Sequence, residues 1–159
     1  MDKVEHRVME RTVYEAAGGY DALLRLAHAW HARCLADPVA GHPFDHPGQH
    51  PDHLARLAAY WAEALGGPAD YTGSMADHSH VLRLHACNGE HRELDERAIA
   101  CFDAALGDAG LADDEGLRTT LSDYFRWGTA LMAAHPDTAD DIAPGLPLPH
   151  WSWGGQVTG

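Results

Sequence analysis

The chain has 159 residues, 45% hydrophobic and 22% charged, the proportions of one globular domain large enough to bury its own core. Acidic residues number 24 against 11 basic ones, a net charge of −13, which argues against nucleic acid or an anionic membrane surface as partner, because phosphate binding needs a basic footprint. No apolar run is long enough to span a bilayer, and the charged stretch Met1 to Arg11 gives no expectation of a secretory signal. The three scattered cysteines, with no Cys-x-x-Cys pair, fit a reducing cytoplasm.

The predicted elements are nearly all helical, set off by Gly and Pro. A first stretch, Thr12 to Ala17, stops at Gly18-Gly19. Asp21 is the expected N-cap of a helix running to Ala36, with Leu23, Leu26, Trp30 and Cys34 at core spacing. Gly41 to Pro51 carries three prolines and reads as a loop. Pro51 to Leu65 follows as a helix, with Leu54, Leu57, Ala58 and Trp61 as its apolar stripe, closed by Gly66-Gly67-Pro68. Residues 69 to 77 read as an extended loop, and His78 to Ala86 as a short helix broken by Asn88-Gly89. Two longer helices are predicted at Glu93 to Ala109 and Asp114 to Ala134, the first with Leu94, Ala98, Cys101, Phe102 and Ala105 on one face. From Pro136, four prolines and then Trp151 and Trp153 give an extended tail without strands. The expectation is an all-α domain built on helix packing. It divides into an N-terminal extension (1–11), the helical domain (12–135) and the tail (136–159).

Thirteen histidines are unusual for this length, and histidine is the commonest metal ligand. His85 ends the apolar run Val81-Leu82-Arg83-Leu84-His85. There a neutral imidazole can point inward and coordinate a metal, while its other ring nitrogen reaches a backbone carbonyl in the preceding turn. Two further histidines can face it. His31 follows Trp30, and His53 opens the helix on which Leu57 and Trp61 recur at four-residue steps along one face. A polar mouth above apolar residues suits a buried flat cofactor. On spacing alone the favoured reading has His53 as a helix cap and Leu57 and Trp61 as plain core.

The string Trp61-Ala62-Glu63-Ala64-Leu65-Gly66-Gly67-Pro68-Ala69-Asp70-Tyr71-Thr72-Gly73 resembles the Gly-Gly-Pro-x-x-Tyr loop of truncated haemoglobins, and His85 follows it at the family's distance. Gly18-Gly19, Trp30-His31 and Leu35-Ala36-Asp37-Pro38 are similar to that family's first Gly pair, aromatic pair and Asp-Pro bend. Leu57-Ala58-Ala59-Tyr60-Trp61, His85-Ala86-Cys87-Asn88-Gly89 and the Trp151-Ser152-Trp153-Gly154-Gly155 tail look like the group II, actinobacterial-type subfamily. The resemblance implies a two-over-two helical sandwich holding haem b, with His85 as the iron ligand. It implies Phe44, Leu57, Trp61, Tyr71 and Phe102 around the haem, and Arg56 and Arg83 pairing its propionates. His31 stands where many members have Tyr, and Phe102 where many have Trp, so the chain departs from the pattern twice. His31 and His53 are the residues expected to act on a bound ligand, either by hydrogen bonding or by ligating the iron themselves. The implied partners are a small gaseous ligand or peroxide and a separate, unidentified reductase, since no flavin or nicotinamide fingerprint occurs. The chain is expected to be a cytoplasmic monomer or homodimer.

Two rival readings remain at this level. His42, His46, His50 and His53 are spaced to ligate Zn2+, although Pro43, Pro47 and Pro51 interrupt any helix there. Alternatively, the domain is a non-haem interaction module whose Trp151 and Trp153 serve a partner. Fold-back of the tail onto the core is the favoured expectation for those tryptophans.

Overall fold

The computed structural model describes residues 11–41, 43 and 51–157. Phe44 and the loop histidines His42, His46 and His50 therefore lie outside the described residues. Seven helices run in chain order among them: α1 (Val13–Ala17), α2 (Tyr20–Ala36), α3 (His53–Ala64), α4 (Asp70–Ser74), α5 (His78–His85), α6 (Arg92–Asp108) and α7 (Glu115–Met132). A two-stranded antiparallel ribbon, β1 (Trp151–Ser152) with β2 (Gly155–Gln156), closes the chain.

Two helix pairs, α2 with α3 and α6 with α7, carry the architecture, and α2 also packs along α6. Their shared interior holds Leu23, Leu26, Trp61, Phe102, Leu106, Leu121 and Tyr124. Four aromatic rings interlock at its centre. Phe102 stacks on Phe125 with centroids 4.2 Å apart. Trp61 meets both edge-on at 5.6 and 6.3 Å, and Trp30 closes the group at 5.6 Å from Phe125.

Side-chain caps set several helix starts. The Thr12 hydroxyl accepts from the Glu15 amide at 3.0 Å, Asp77 from His80 at 2.8 Å and Asp114 from Leu117 at 3.0 Å. Asp21 is not the cap of α2. Gly18 and Gly19 both take left-handed φ, 107° and 81°, so the chain reverses within two residues and α2 begins at once, placing Asp21 in its first turn. Gly67 answers a steric demand: a Cβ there would lie 2.6 Å from the Tyr14 ring and 2.8 Å from the Ala62 carbonyl. The Gly-Gly-Pro turn thus lets α1 lie against the end of α3, where the Tyr14 amide donates to the Leu65 carbonyl at 3.0 Å.

The segment expected to be extended contains α4. A buried carboxylate organises it: Glu63 accepts from the Thr72 amide at 2.9 Å and from its hydroxyl at 2.6 Å. The tail folds back, as favoured, but with the ribbon that was not expected. The Trp151 ring lies 5.0 Å from Trp127 and 6.1 Å from Tyr124, and the Trp153 indole donates to the Arg11 carbonyl at 2.6 Å. Among the described residues no helix is long and apolar enough to cross a membrane.

Candidate functional site

The end of α5 carries the first element of the site. His85 is its last residue, and the Nδ1–H donates to the Val81 carbonyl one turn earlier, at 2.9 Å. A carbonyl can only accept, so this bond fixes the tautomer and leaves Nε2 as a bare lone pair. The ring is open to solvent, yet the protein around it disfavours its charged form. Burial pushes its pKa below the usual imidazole value, the bond to Val81 opposes that shift, His91 adds to it, and Asp95 opposes it. His85 therefore presents a neutral nitrogen donor at the end of α5.

The second element joins two helices. His31 on α2 and His53 at the start of α3 face each other edge to face, ring centroids 5.2 Å apart at 68°. Burial lowers the His31 pKa first, and repulsion from His53 and then His28 lowers it further. The two histidines singled out by sequence are thus neighbours. Leu57 and Trp61 continue from His53 along α3, half-buried and buried respectively.

The remaining expected residues are placed as follows. Phe102 is sealed in the aromatic stack, 1% exposed. Tyr71 is buried edge-on to Tyr60 at 5.3 Å, and burial raises its pKa. The Arg56 guanidinium lies over the Tyr71 ring, 6.0 Å from its centre. The Arg83 guanidinium donates to the Ile142 carbonyl at 3.1 Å and so fastens α5 to the tail.

Two pairs escaped the sequence reading. His91 donates from Nδ1 to Asp95 at 2.8 Å at the start of α6, and both act electrostatically on His85. Their four-residue separation at a helix start was the available signal. Tyr60 and His78, bonded at 3.0 Å between the hydroxyl and Nδ1, join α3 to the start of α5. Burial lowers the His78 pKa, with Asp77 opposing. That contact is tertiary and left no signal in the spacing. Among the described residues no group of three or more His, Cys, Asp and Glu is arranged to hold a metal ion.

The family model described as bacterial-like globin matches residues 12–126. A thermostable haemoglobin from the actinobacterium Thermobifida fusca is similar in structure, with 26% identity and a TM-score of 0.63, over 77% of this chain and 97% of that one. A haemoglobin from Chloroflexus aurantiacus shows 24% identity and a TM-score of 0.64 over 77% and 97%. The group II truncated haemoglobin of Bacillus anthracis shows 20% identity and a TM-score of 0.66 over 83% and 98%. No curated protein matches the chain. The expected two-over-two truncated-globin sandwich is the fold observed.

Proposed function

Because the chain belongs to the bacterial-like globin family, we propose that it holds a haem iron through His85 and binds small diatomic ligands beside His31 and His53. The observation that carries this reading is the bond from His85 Nδ1 to the Val81 carbonyl, which turns Nε2 into the donor that a porphyrin iron takes. The residues fit the group in two further respects. The surrounding protein disfavours a charge on His85, and half-buried Leu57 follows His53 one turn along α3 as an apolar neighbour. A b-type haem is the group that the resemblance to truncated haemoglobins implies.

When bound, the haem supplies the coordination position for the gas and the redox capacity of iron. The chain's own residues do the rest. Neutral imidazoles each carry one N–H donor and one acceptor. His31 and His53 together can therefore donate a hydrogen bond to a polarised ligand atom and accept a proton in turn. That second capacity supports turnover of NO or peroxide in addition to reversible binding, with electrons delivered by a separate reductase.

The test is spectroscopic. Purified full-length protein supplied with haem is expected to show a Soret band, and His85→Ala to lose stably bound haem. A variant that keeps full haem with an unchanged spectrum would overturn the ligand assignment. His31→Leu and His53→Leu should each speed release of a polar ligand roughly 5–30-fold, the worth of one or two kcal/mol of hydrogen bonding in a buried site. Unchanged release in both would reduce the pair to packing.

A further inference from the structure

All three cysteines are free thiols. Cys87 is exposed and stands apart, but Cys34 on α2 and Cys101 on α6 are buried in one small apolar cluster with Ala40, with Trp30 packed against it. This cluster is separate from the main core. The helix crossing that creates it is fastened on both sides. One turn before each cysteine, the Trp30 indole donates to the Ala98 carbonyl at 3.0 Å. Beyond Cys34, Asp37 accepts from Arg97 at 3.1 Å, and the Arg33 guanidinium forks onto Asp108 at 2.7 and 2.8 Å. Two cysteines on different helices are thus kept in one cluster by contacts that do not involve their sulfurs.

The pair is asymmetric. Cys34 is wholly sealed, whereas Cys101 retains 9% exposure at the edge of the cluster. Burial raises the Cys101 pKa; its neighbour Cys34 lowers it, Asp37 raises it, and Arg33 and Arg97 lower it. Cys101 is accordingly the sulfur an oxidant meets, and Cys34 the one positioned behind it.

We propose that Cys34 and Cys101 are a redox-closable pair, in which hydrogen peroxide oxidises Cys101 and Cys34 then closes a disulfide that ties α2 to α6 one turn from His31. The Cys101 thiolate attacks one peroxide oxygen and the O–O bond breaks. Cys101 becomes a sulfenic acid, and the departing hydroxide takes up the thiol's proton as water. The Cys34 sulfur next attacks the Cys101 sulfur. An S–S bond forms, the S–O bond breaks, and hydroxide leaves with the Cys34 proton as a second water. Two thiols lose two electrons and one peroxide becomes two waters. Burial holds both thiols mainly protonated at neutral pH, so closure is slow and accelerates as pH rises. This inference concerns the helix crossing and does not depend on the haem assignment.

The experiment uses the full-length protein carrying Cys87→Ser, exposed to a modest excess of peroxide and mapped without reductant. The expected product is lighter by two hydrogens, has lost both remaining free thiols, and joins the Cys34 and Cys101 peptides within one chain. It should form several-fold faster at about pH 9 than at about pH 7. Adding Cys34→Ser should leave a sulfenic acid on Cys101 that dimedone captures, while adding Cys101→Ser should leave Cys34 reduced. Cyanide, which blocks a haem iron, should leave the closure rate unchanged. Recovery of both thiols after prolonged exposure of the Cys87→Ser protein overturns the proposal. So does a bridge between two chains, or a cross-link that cyanide abolishes.

Discussion

The two imidazole sites are built differently. His85 is set by its own helix: the nitrogen that bonds the Val81 carbonyl belongs to the same α-helical turn, so the tautomer survives as long as α5 does. His31 and His53 come from α2 and α3 and meet only because those helices pack. Their protonation is therefore a property of tertiary structure. A locally coded imidazole and a tertiarily coded pair thus respond to different perturbations: the first to the integrity of α5, the second to the packing of α2 on α3.

Removing the packing is the strongest way to break that contrast. Trp61 lies two turns after His53 on α3 and contacts Trp30, Phe102 and Phe125. Trp61→Ala should cost about 3–5 kcal/mol of stability, as large-to-small changes of buried aromatics do. It should also disturb the His31–His53 contact while the His85 tautomer, followed by nitrogen NMR shifts, is unchanged. A change at His85 equal to that at His31 would show the two sites to be one unit.

Acid probes both sites together. His31, His78 and His85 all have folded-state pKa values below the unfolded 6.5, burial being the largest cause in each. As pH falls below about 6.5, the unfolded chain takes up protons that the folded chain does not. Stability is thus fully present above that pH and is lost progressively down to the folded-state values. Thermal melts of the haem-free protein should show the midpoint falling across this window. A flat profile would mean that these rings are solvated in the folded state.

His53→Leu separates the two sites by a smaller effect. It removes the second-ranked cause of the His31 shift but not the burial. The His31 pKa should therefore move part of the way back toward 6.5, and His85 should not move. Proton NMR titration of the ring resonances reads this directly. An equal shift at His85 would contradict the separation.

The same division between local and tertiary coding explains what could be read from the residues alone. The periodic stripes, the Gly-Gly breaks and the His85-to-carbonyl bond follow from spacing within one helix, and all were legible. The proximity of His31 to His53 was legible only as two candidates for one pocket. Helix α4 was missed because it depends on Glu63, a residue of the preceding helix, capturing Thr72. The destinations of Arg56 and Arg83 were hidden for the same reason. Long flexible cations find partners that the fold supplies, here the Tyr71 ring and the Ile142 carbonyl. The Cys34–Cys101 cluster lies between residues far apart in sequence, and neither helix pattern alone points to it.

The smallest expected effect lies at the surface of the α2–α6 crossing. Arg33 is two residues from His31, and its fork on Asp108 has ideal bidentate distances, 2.7 and 2.8 Å. Both side chains are nevertheless well exposed, at 49% and 39%, so water and salt screen the pair and ordering two long side chains offsets much of the gain. Arg33→Ala should change the unfolding free energy by less than about 1 kcal/mol, with the difference shrinking further at high ionic strength. The His31–His53 contact should persist, because neither ring takes part in the fork. Denaturant titrations at low and high salt give the first two quantities. A larger, salt-independent loss would mean that the fork helps to hold the crossing itself, and the His31–His53 pair would then answer to surface charge as well as to packing.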